Sequence, residues 1–224
     1  MATACSIKIR MNTTVEVKAS KVYYVITGFS AFGSVGINPT AKLIEILSDE
    51  TNDSHLTRPN SHSVYMFKVL EVSVQAVDSF LNSTVEDIVK RDSDSGISKI
   101  QIYFIHLGVD ENAISIKLEQ VCYNNLHFRI PDVKGYQPQN SALFSHFECD
   151  FAFPTQLDVL KVLDDVQTSA SVLSMQHQYL HPLITLSTNP GRYLCNYVYL
   201  RTNTLYRACG VYETTFGGQC ECSD

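Results

Sequence analysis

Long apolar runs are absent from this chain of 224 residues. No run approaches the roughly 20 residues that a helix needs to cross a bilayer, so the sequence predicts no transmembrane helix and no membrane partner. The N-terminal stretch, residues 1–20, lacks an apolar core followed by a small-residue cleavage site, and we therefore expect no secretory signal. A cytosolic address is the resulting prediction.

Basic residues are in the minority, with 17 Lys and Arg against 23 Asp and Glu. A general nucleic-acid binder needs a positive surface for phosphate, so the formal charge of −6 argues against a nucleic-acid partner. Solubility alone explains this mild acidity. Neither a low-complexity tract nor an inter-domain linker is visible, and 45% apolar residues can build one domain with a sizeable core.

The seven cysteines are odd in number and irregularly spaced, which does not suggest a disulfide framework. In a reducing compartment most such residues are small, buried apolar groups. One residue separates Cys220 from Cys222 and no histidine is near them, so we expect no zinc site there.

Short apolar strands alternate with helical segments along most of the chain. This alternation predicts a single α/β domain over residues 1–205, a three-layer αβα sandwich with a mostly parallel central sheet. Residues 206–224 show neither pattern and are expected to form an irregular C-terminal tail. Leu157, Leu160 and Leu163 are spaced for one face of a helix. The expected strands are 22–26, 64–69, 100–107 and 183–187, and the expected helices are 39–47, 74–90, 154–166 and 195–205.

Cys195 stands where an α/β sheet binds its ligands. Ligands lie outside the carboxyl ends of parallel strands, which here lead into residues 28–33, 108–119 and 188–195. Cys195 follows the fourth strand near the start of a helix, where unpaired N–H groups and the helix dipole lower the pKa of a thiol. The same N–H groups could form an oxyanion hole. An inert, buried cysteine is the commoner case and stays an alternative.

Three motifs occur in order between residues 22 and 205. Together they resemble the pyroglutamyl peptidase I (pyrrolidone-carboxylate peptidase) family, whose members remove N-terminal pyroglutamate from peptides with a Cys, a His and a Glu or Asp. The resemblance implies a cysteine peptidase with such peptides as partners and with no metal or organic cofactor, and it leaves a homo-oligomer open. The motifs are Thr27-Gly28-Phe29-Ser30-Ala31-Phe32-Gly33 with Asn38-Pro39; His106-Leu107-Gly108 to Leu118-Glu119, then Asn124-Asn125, Arg129-Ile130-Pro131-Asp132, Gly135 and Gln137-Pro138; and Gly191-Arg192-Tyr193-Leu194-Cys195-Asn196-Tyr197.

The resemblance implies two catalytic residues. Cys195 would attack the pyroglutamyl carbonyl to give an acyl-enzyme that water hydrolyses. Glu119 would be the carboxylate that orients and stabilises a histidine. On its own, Glu119 on a possible helix would more often be a solvated charge.

The resemblance also implies a substrate pocket. Phe29 and Phe32 would pack against the lactam ring, and Tyr193 would close the pocket. Asn38 would fix the first loop, and Arg129 would lie near the site and support the oxyanion or the thiolate. The alternatives are ordinary core positions for the phenylalanines, a helix cap for Asn38 and a surface ion pair for Arg129.

No histidine follows Cys195. In the family the base lies on a strand after the nucleophile helix, and a final helix follows, so we expect that strand and helix to be missing. The tail after about Leu205 would then be an alternative or mispredicted ending, or the chain a degenerate relative. The competing hypothesis is an inactive protein that binds pyroglutamyl or other small ligands. Four upstream histidines are expected to be hydrogen-bonded or exposed rather than catalytic: His106, His127, His177 and His181.

Overall fold

The computed structural model describes residues 2–3, 20–33, 36–52, 63–93, 99–110, 113–177 and 184–208. Each expected strand and helix has a counterpart in these ranges. The strands are β1 (Ala2–Thr3), β2 (Ser20–Phe29), β3 (Ser63–Leu70), β4 (Lys99–His106), β5 (Ile116–Glu119), β6 (Val121–Tyr123), β7 (Ala152–Pro154) and β8 (Ile184–Ser187). The helices are α1 (Pro39–Asn52), α2 (Val74–Ser93), α3 (Val159–His177) and α4 (Leu194–Ala208).

The central sheet has six strands in the order β3-β2-β4-β1-β5-β8. β2 pairs in parallel with both β3 and β4, and β5 pairs in parallel with β8. The short β1 lies antiparallel to β4 and parallel to β5. A separate antiparallel pair is formed by β6 and β7. The predicted α/β class with a mostly parallel central sheet is therefore confirmed.

Helices cover the sheet on both faces. Successive side chains of a strand point to opposite faces, so Gly28 and its neighbour Phe29 face opposite ways. A Cβ placed on Gly28 would lie 2.6 Å from the Thr40 carbonyl oxygen, which shows that α1 packs directly on this face and requires glycine there. The other face carries the main core with α2 and α4. Its fully buried members include Tyr23, Val25, Val77, Leu81, Ile102, Phe104 and Val198.

The segment after β4 is more regular than the sequence predicted. Residues 116–119 pair in register with β8, so Glu119 ends a strand and does not lie on a helix. The alternative of a solvated Glu119 on a helix is wrong, because strand pairing buries this position. Pro154 ends β7 and does not begin a helix, since it pairs with Val121.

Helix α3 begins later than the sequence predicted. The Asp158 carboxylate accepts a hydrogen bond from the backbone N–H of Lys161 at 3.0 Å and so caps the helix that starts at Val159. Leu160 lies in this first turn and is 67% exposed. Leu157 precedes the helix, so the prediction that Leu157, Leu160 and Leu163 share one helix face is wrong.

The C-terminal helix α4 continues to Ala208, slightly past its expected end at Leu205. Residues 209–224, which hold most of the expected irregular tail, lie outside the described residues. Among the described helices, none has both the length and the apolar composition to cross a membrane. The cytosolic address stays a prediction.

Candidate active site

Cys195 is the second residue of α4, at the carboxyl edge of the parallel strands. β8 ends at Ser187, and the connecting loop turns at Gly191, whose φ of 73° favours glycine. The backbone N–H of Tyr197 donates to the Tyr193 carbonyl at 3.0 Å, which closes the first turn of the helix. The N–H groups that precede this turn have no partner within the helix. The predicted position of Cys195 at a helix start is confirmed.

The Cys195 sulfur packs against the chain that leaves β4. A Cβ on Gly108 would stand 2.8 Å from Sγ, so only glycine lets the sulfur approach this closely. Burial raises the pKa of the Cys195 thiol, and the nearby Glu119 charge raises it further. Hydrogen bonds from the backbone N–H groups of Val109 and of Cys195 itself favour the thiolate. The net direction is upward, so the prediction of a lowered thiol pKa at this helix start is wrong.

Glu119 places a carboxylate in the same site. The residue is only 7% exposed, and its backbone carbonyl accepts a hydrogen bond from the Tyr199 hydroxyl at 3.1 Å. Within the described residues, its Oε2 atom is buried and has no hydrogen-bond partner. A buried carboxylate oxygen without a donor costs free energy, so this atom is ready to accept a hydrogen bond. Glu119 and Cys195 lie within electrostatic reach of each other.

The imidazole of His106 hydrogen-bonds to Thr27 and Thr202 and not to Cys195 or Glu119. The Thr202 hydroxyl donates to the Val198 carbonyl at 2.7 Å, so it accepts from His106 Nε2–H at 3.3 Å. His106 Nδ1 then accepts from the Thr27 hydroxyl at 2.7 Å. Burial lowers the pKa of His106 from 6.5 to about 3, which keeps the ring neutral. The expectation of a structural, hydrogen-bonded histidine is confirmed here.

The other described imidazoles also lie away from the thiol. His127 is exposed, and the His146 ring packs on Phe147 at a centroid distance of 4.4 Å. In the part of the chain that the structure describes, no imidazole hydrogen-bonds to Cys195 or Glu119, and no group of three His, Cys, Asp or Glu could hold a metal ion. His181 and the His177 side chain fall outside the described residues.

An aromatic cluster, which we call the aromatic pocket, lies beside the loop that leads to Cys195. The Phe32 and Tyr193 rings stack with centroids 5.9 Å apart, and the Phe128 ring meets Tyr193 edge-on at 4.7 Å. Gly33 has a φ of 51°, and a Cβ there would lie 3.0 Å from Cδ1 of Ile130. The structure thus brings the predicted residues Phe32 and Tyr193 together. It adds Phe128, which directly precedes Arg129 and belongs to none of the three motifs.

Two of the predicted pocket residues, Phe29 and Asn38, hold the first loop in place. Phe29 is 4% exposed, belongs to the main core, and its backbone N–H donates to the Thr40 hydroxyl at 2.9 Å. The Asn38 amide donates to the Ser30 carbonyl at 3.1 Å, and its oxygen accepts from the Thr40 N–H and hydroxyl. Asn38 therefore caps α1 and also holds the first loop through Ser30.

Arg129 is exposed and lies within electrostatic reach of Tyr193. Burial raises the pKa of the Tyr193 hydroxyl, the charges of Asp132 and Cys195 add to this, and the Arg129 charge opposes it. The same hydroxyl donates to the Pro131 carbonyl at 3.3 Å. The segment that contains Arg129 is thus attached to Tyr193, two residues before Cys195.

A family model described as pyroglutamyl peptidase matches residues 21–215, a stretch that contains all three motifs and the whole site. Among curated proteins, the chain is similar to a pyrrolidone-carboxylate peptidase of Thermococcus litoralis, with 26% identity over 178 residues, 80% of this chain. It is also similar to the pyrrolidone-carboxylate peptidase of Lactobacillus johnsonii, with 26% identity over 177 residues, 78% of this chain. The match spans 66% of the length of each of these two relatives.

Solved structures show the same fold. The pyrrolidone carboxyl peptidase from Thermococcus litoralis superposes with a TM-score of 0.61 at 24% identity, covering 85% of this chain and 72% of that one. The pyrrolidone carboxyl peptidase from Fervidobacterium islandicum AW-1 gives a TM-score of 0.57 at 21% identity, covering 84% of this chain and 74% of that one.

Proposed function

The chain belongs to the pyroglutamyl peptidase family, and on that premise we propose that it hydrolyses the amide bond after an N-terminal pyroglutamyl residue of peptides. One observation carries the proposal. The Cys195 sulfur lies at a helix start, in close contact with Gly108 and within electrostatic reach of the Glu119 carboxylate. The aromatic pocket of Phe32 and Tyr193 stands beside it.

The proposed reaction proceeds through a thioester. The thiolate of Cys195 adds to the pyroglutamyl carbonyl carbon, and the N–H groups of Val109 and Cys195 would hold the negative oxygen that develops. The C–N bond then breaks, and the amine leaves with a proton. Water adds to the thioester carbonyl, the C–S bond breaks, and pyroglutamate and the free thiol are released.

The pocket would recognise the lactam ring through its shape. A five-membered ring with apolar faces packs well against aromatic side chains, so Phe32 and Tyr193 would contact it, and Phe128 packs edge-on against Tyr193. Arg129 would sit near the scissile carbonyl. Asn38 would act on the substrate only through the loop that it fixes.

Proton transfer is the step that needs a further group. The thiol pKa is raised, so a base must take the proton of Cys195 before attack at neutral pH. The unpartnered Oε2 of Glu119 would orient an imidazole N–H in this position. We propose that an imidazole placed between Glu119 and Cys195 completes the catalytic arrangement.

A second candidate function is ligand binding without turnover. It is favoured by the raised thiol pKa of Cys195 and by the unpartnered Glu119 oxygen, because both leave the nucleophile without a described base. The aromatic pocket would then still bind a pyroglutamyl group.

Hydrolysis of a fluorogenic pyroglutamyl amide separates the two candidates. We expect the full chain to release the fluorophore, Cys195→Ala to abolish the release, and Cys149→Ala, a change at an exposed cysteine, to leave it unaltered. Release that survives Cys195→Ala would rule out the nucleophile. Saturable binding of a pyroglutamyl amide with no release would establish the binding function instead.

A further inference from the structure

The loop that leads to the nucleophile is attached at both ends to one tyrosine. Tyr123 is the last residue of β6, and its hydroxyl donates to the Thr188 carbonyl, where the loop begins, at 2.8 Å. At the other end of the loop, the Arg192 guanidinium lies over the Tyr123 ring, 3.8 Å from the ring centroid. A cation at this distance from an aromatic face is attracted to it.

The backbone of Tyr123 also holds the first turn of α4. Asn196 follows Cys195 directly and is fully buried. Its side-chain oxygen accepts from the Tyr123 N–H at 2.8 Å, and its amide donates to the Tyr123 carbonyl at 2.9 Å and to the Asn125 carbonyl at 3.0 Å. Cys195 is therefore flanked on both sides by residues attached to β6.

Arg192 has a second set of partners outside β6, of which Asp150 lies two residues before β7. Its Nε and Nη2 atoms donate to Asp150 at 3.0 and 2.9 Å, and its Nη1 donates to the Gly191 carbonyl at 2.9 Å. The backbone carbonyl of Arg192 accepts from the His127 N–H at 3.0 Å. Asp150 is 57% exposed, so this ion pair contributes little stability. The ion pair instead positions the planar Arg192 guanidinium, because the geometry of its N–H donors is rigid.

Asp150 has an unusual backbone conformation. Its φ is 69°, in the left-handed region that few residues other than Gly, Asn and Asp adopt. A hydrogen bond from Asn125, and then one from Arg192, lower the pKa of the Asp150 carboxyl, which therefore stays ionised near neutral pH.

We propose that Tyr123, Arg192 and Asp150 form a clamp that positions the Cys195 sulfur against Gly108 and the Val109 N–H. The three residues act through Cys195 and are positioning residues. Because the sulfur is so close to Gly108, a small shift of the loop would lengthen the Val109 N–H···S hydrogen bond that favours the thiolate. The importance of the clamp for turnover rests on the proposed function, whereas its effect on the thiol does not.

The test measures alkylation of Cys195 by iodoacetamide as a function of pH, followed on the Cys195-containing peptide by mass spectrometry. Arg192→Met removes the charge and all donors of the guanidinium, and Arg91→Met makes the same change at an exposed arginine of α2. Loss of the hydrogen bond to sulfur should move the alkylation midpoint of Arg192→Met upward by about one pH unit and slow alkylation near neutral pH about tenfold. Arg91→Met should match the unaltered chain.

Two milder variants keep the test decisive should Arg192→Met fail to fold. Asp150→Asn keeps a residue that tolerates positive φ, and Tyr123→Phe keeps the ring but loses the bond to Thr188. Each should raise the midpoint by a smaller amount. A folded Arg192→Met, or both milder variants, with an unchanged pH profile would overturn the clamp. Shifted profiles in a chain that releases no fluorophore would uphold the clamp and contradict the proposed function.

Discussion

The sulfur of Cys195 and the α-carbon of Gly108 are in such close contact that a methyl group on the glycine would stand 2.8 Å from the sulfur. Real Cβ atoms essentially never come this near, so one of the two must move if Gly108 gains a side chain. Gly108 follows β4 by two residues and Cys195 is the second residue of α4, so this contact brings the sheet edge and the helix start together. Glycine at position 108 is thus part of the nucleophile's environment.

Gly108→Ala should displace the Cys195 side chain from the Val109 N–H. We expect the alkylation rate of Cys195 near neutral pH to fall about tenfold, and the free energy of unfolding to fall by about 1–3 kcal/mol from overpacking. Gly36→Ala is the matched control, because a Cβ there has nothing within 4 Å. An alkylation rate equal in both variants would show that the close contact has no influence on the thiol.

Free imidazole should raise the turnover of a fluorogenic pyroglutamyl amide. The unpartnered Glu119 Oε2 can accept the N–H of an added imidazole, whose other nitrogen would then take the thiol proton. Glu119→Gln should lose most of this increase, because a neutral amide does not stabilise an imidazolium. The initial rate is measured against imidazole concentration at constant pH and ionic strength. Equal increases in both chains would mean that imidazole acts elsewhere.

Phe32→Ala should weaken substrate binding more than it weakens the chemical step. The ring stacks with Tyr193, and its loss removes apolar contact with the bound lactam worth about 1–2 kcal/mol, or roughly a tenfold rise in KM. Phe151→Ala removes a ring of the same size that is 43% exposed and packs on Phe147 and Phe153. Steady-state kinetics of the two variants should differ in KM. A KM that rises equally in both would contradict the assignment of the pocket.

Acid should destabilise the fold partly through His106. Its folded-state pKa of about 3 lies below the ordinary value of 6.5. Between these two pH values the His106 ring is protonated in the unfolded chain and neutral in the folded chain. This contribution to stability is complete above pH 6.5 and is lost as the pH falls toward 3, at about 2 kcal/mol between pH 7 and pH 5. Urea unfolding at the two pH values measures it. His106→Gln should show a correspondingly smaller loss, and an equal loss would contradict the assigned protonation state.

The sequence predicted the sheet and the position of the nucleophile because both depend on local patterns. The buried run of β2 and the turn before Cys195 can be recognised from residue type and spacing alone. The strand that carries Glu119 was missed because it is four residues long, and its pairing partner β8 lies far along the chain. Periodicity cannot identify so short an element.

Properties that depend on tertiary packing were beyond the sequence. A helix start by itself lowers the pKa of a thiol, but desolvation of Cys195 raises it and decides the net direction. The contact between Tyr123 and Arg192 joins two distant segments through a ring face, which leaves no spacing signal in the chain. Such features follow only from the way β6 packs against the loop before α4.

The central claim is that Cys195 forms a covalent acyl intermediate with a pyroglutamyl substrate. The most direct measurement is the mass of the Cys195-containing peptide after the reaction is quenched in acid during turnover. We predict a mass increase equal to one pyroglutamyl group, located on Cys195, which alkylation of the thiol beforehand prevents. Turnover with an unmodified Cys195, or with the acyl group on another residue, would contradict the account.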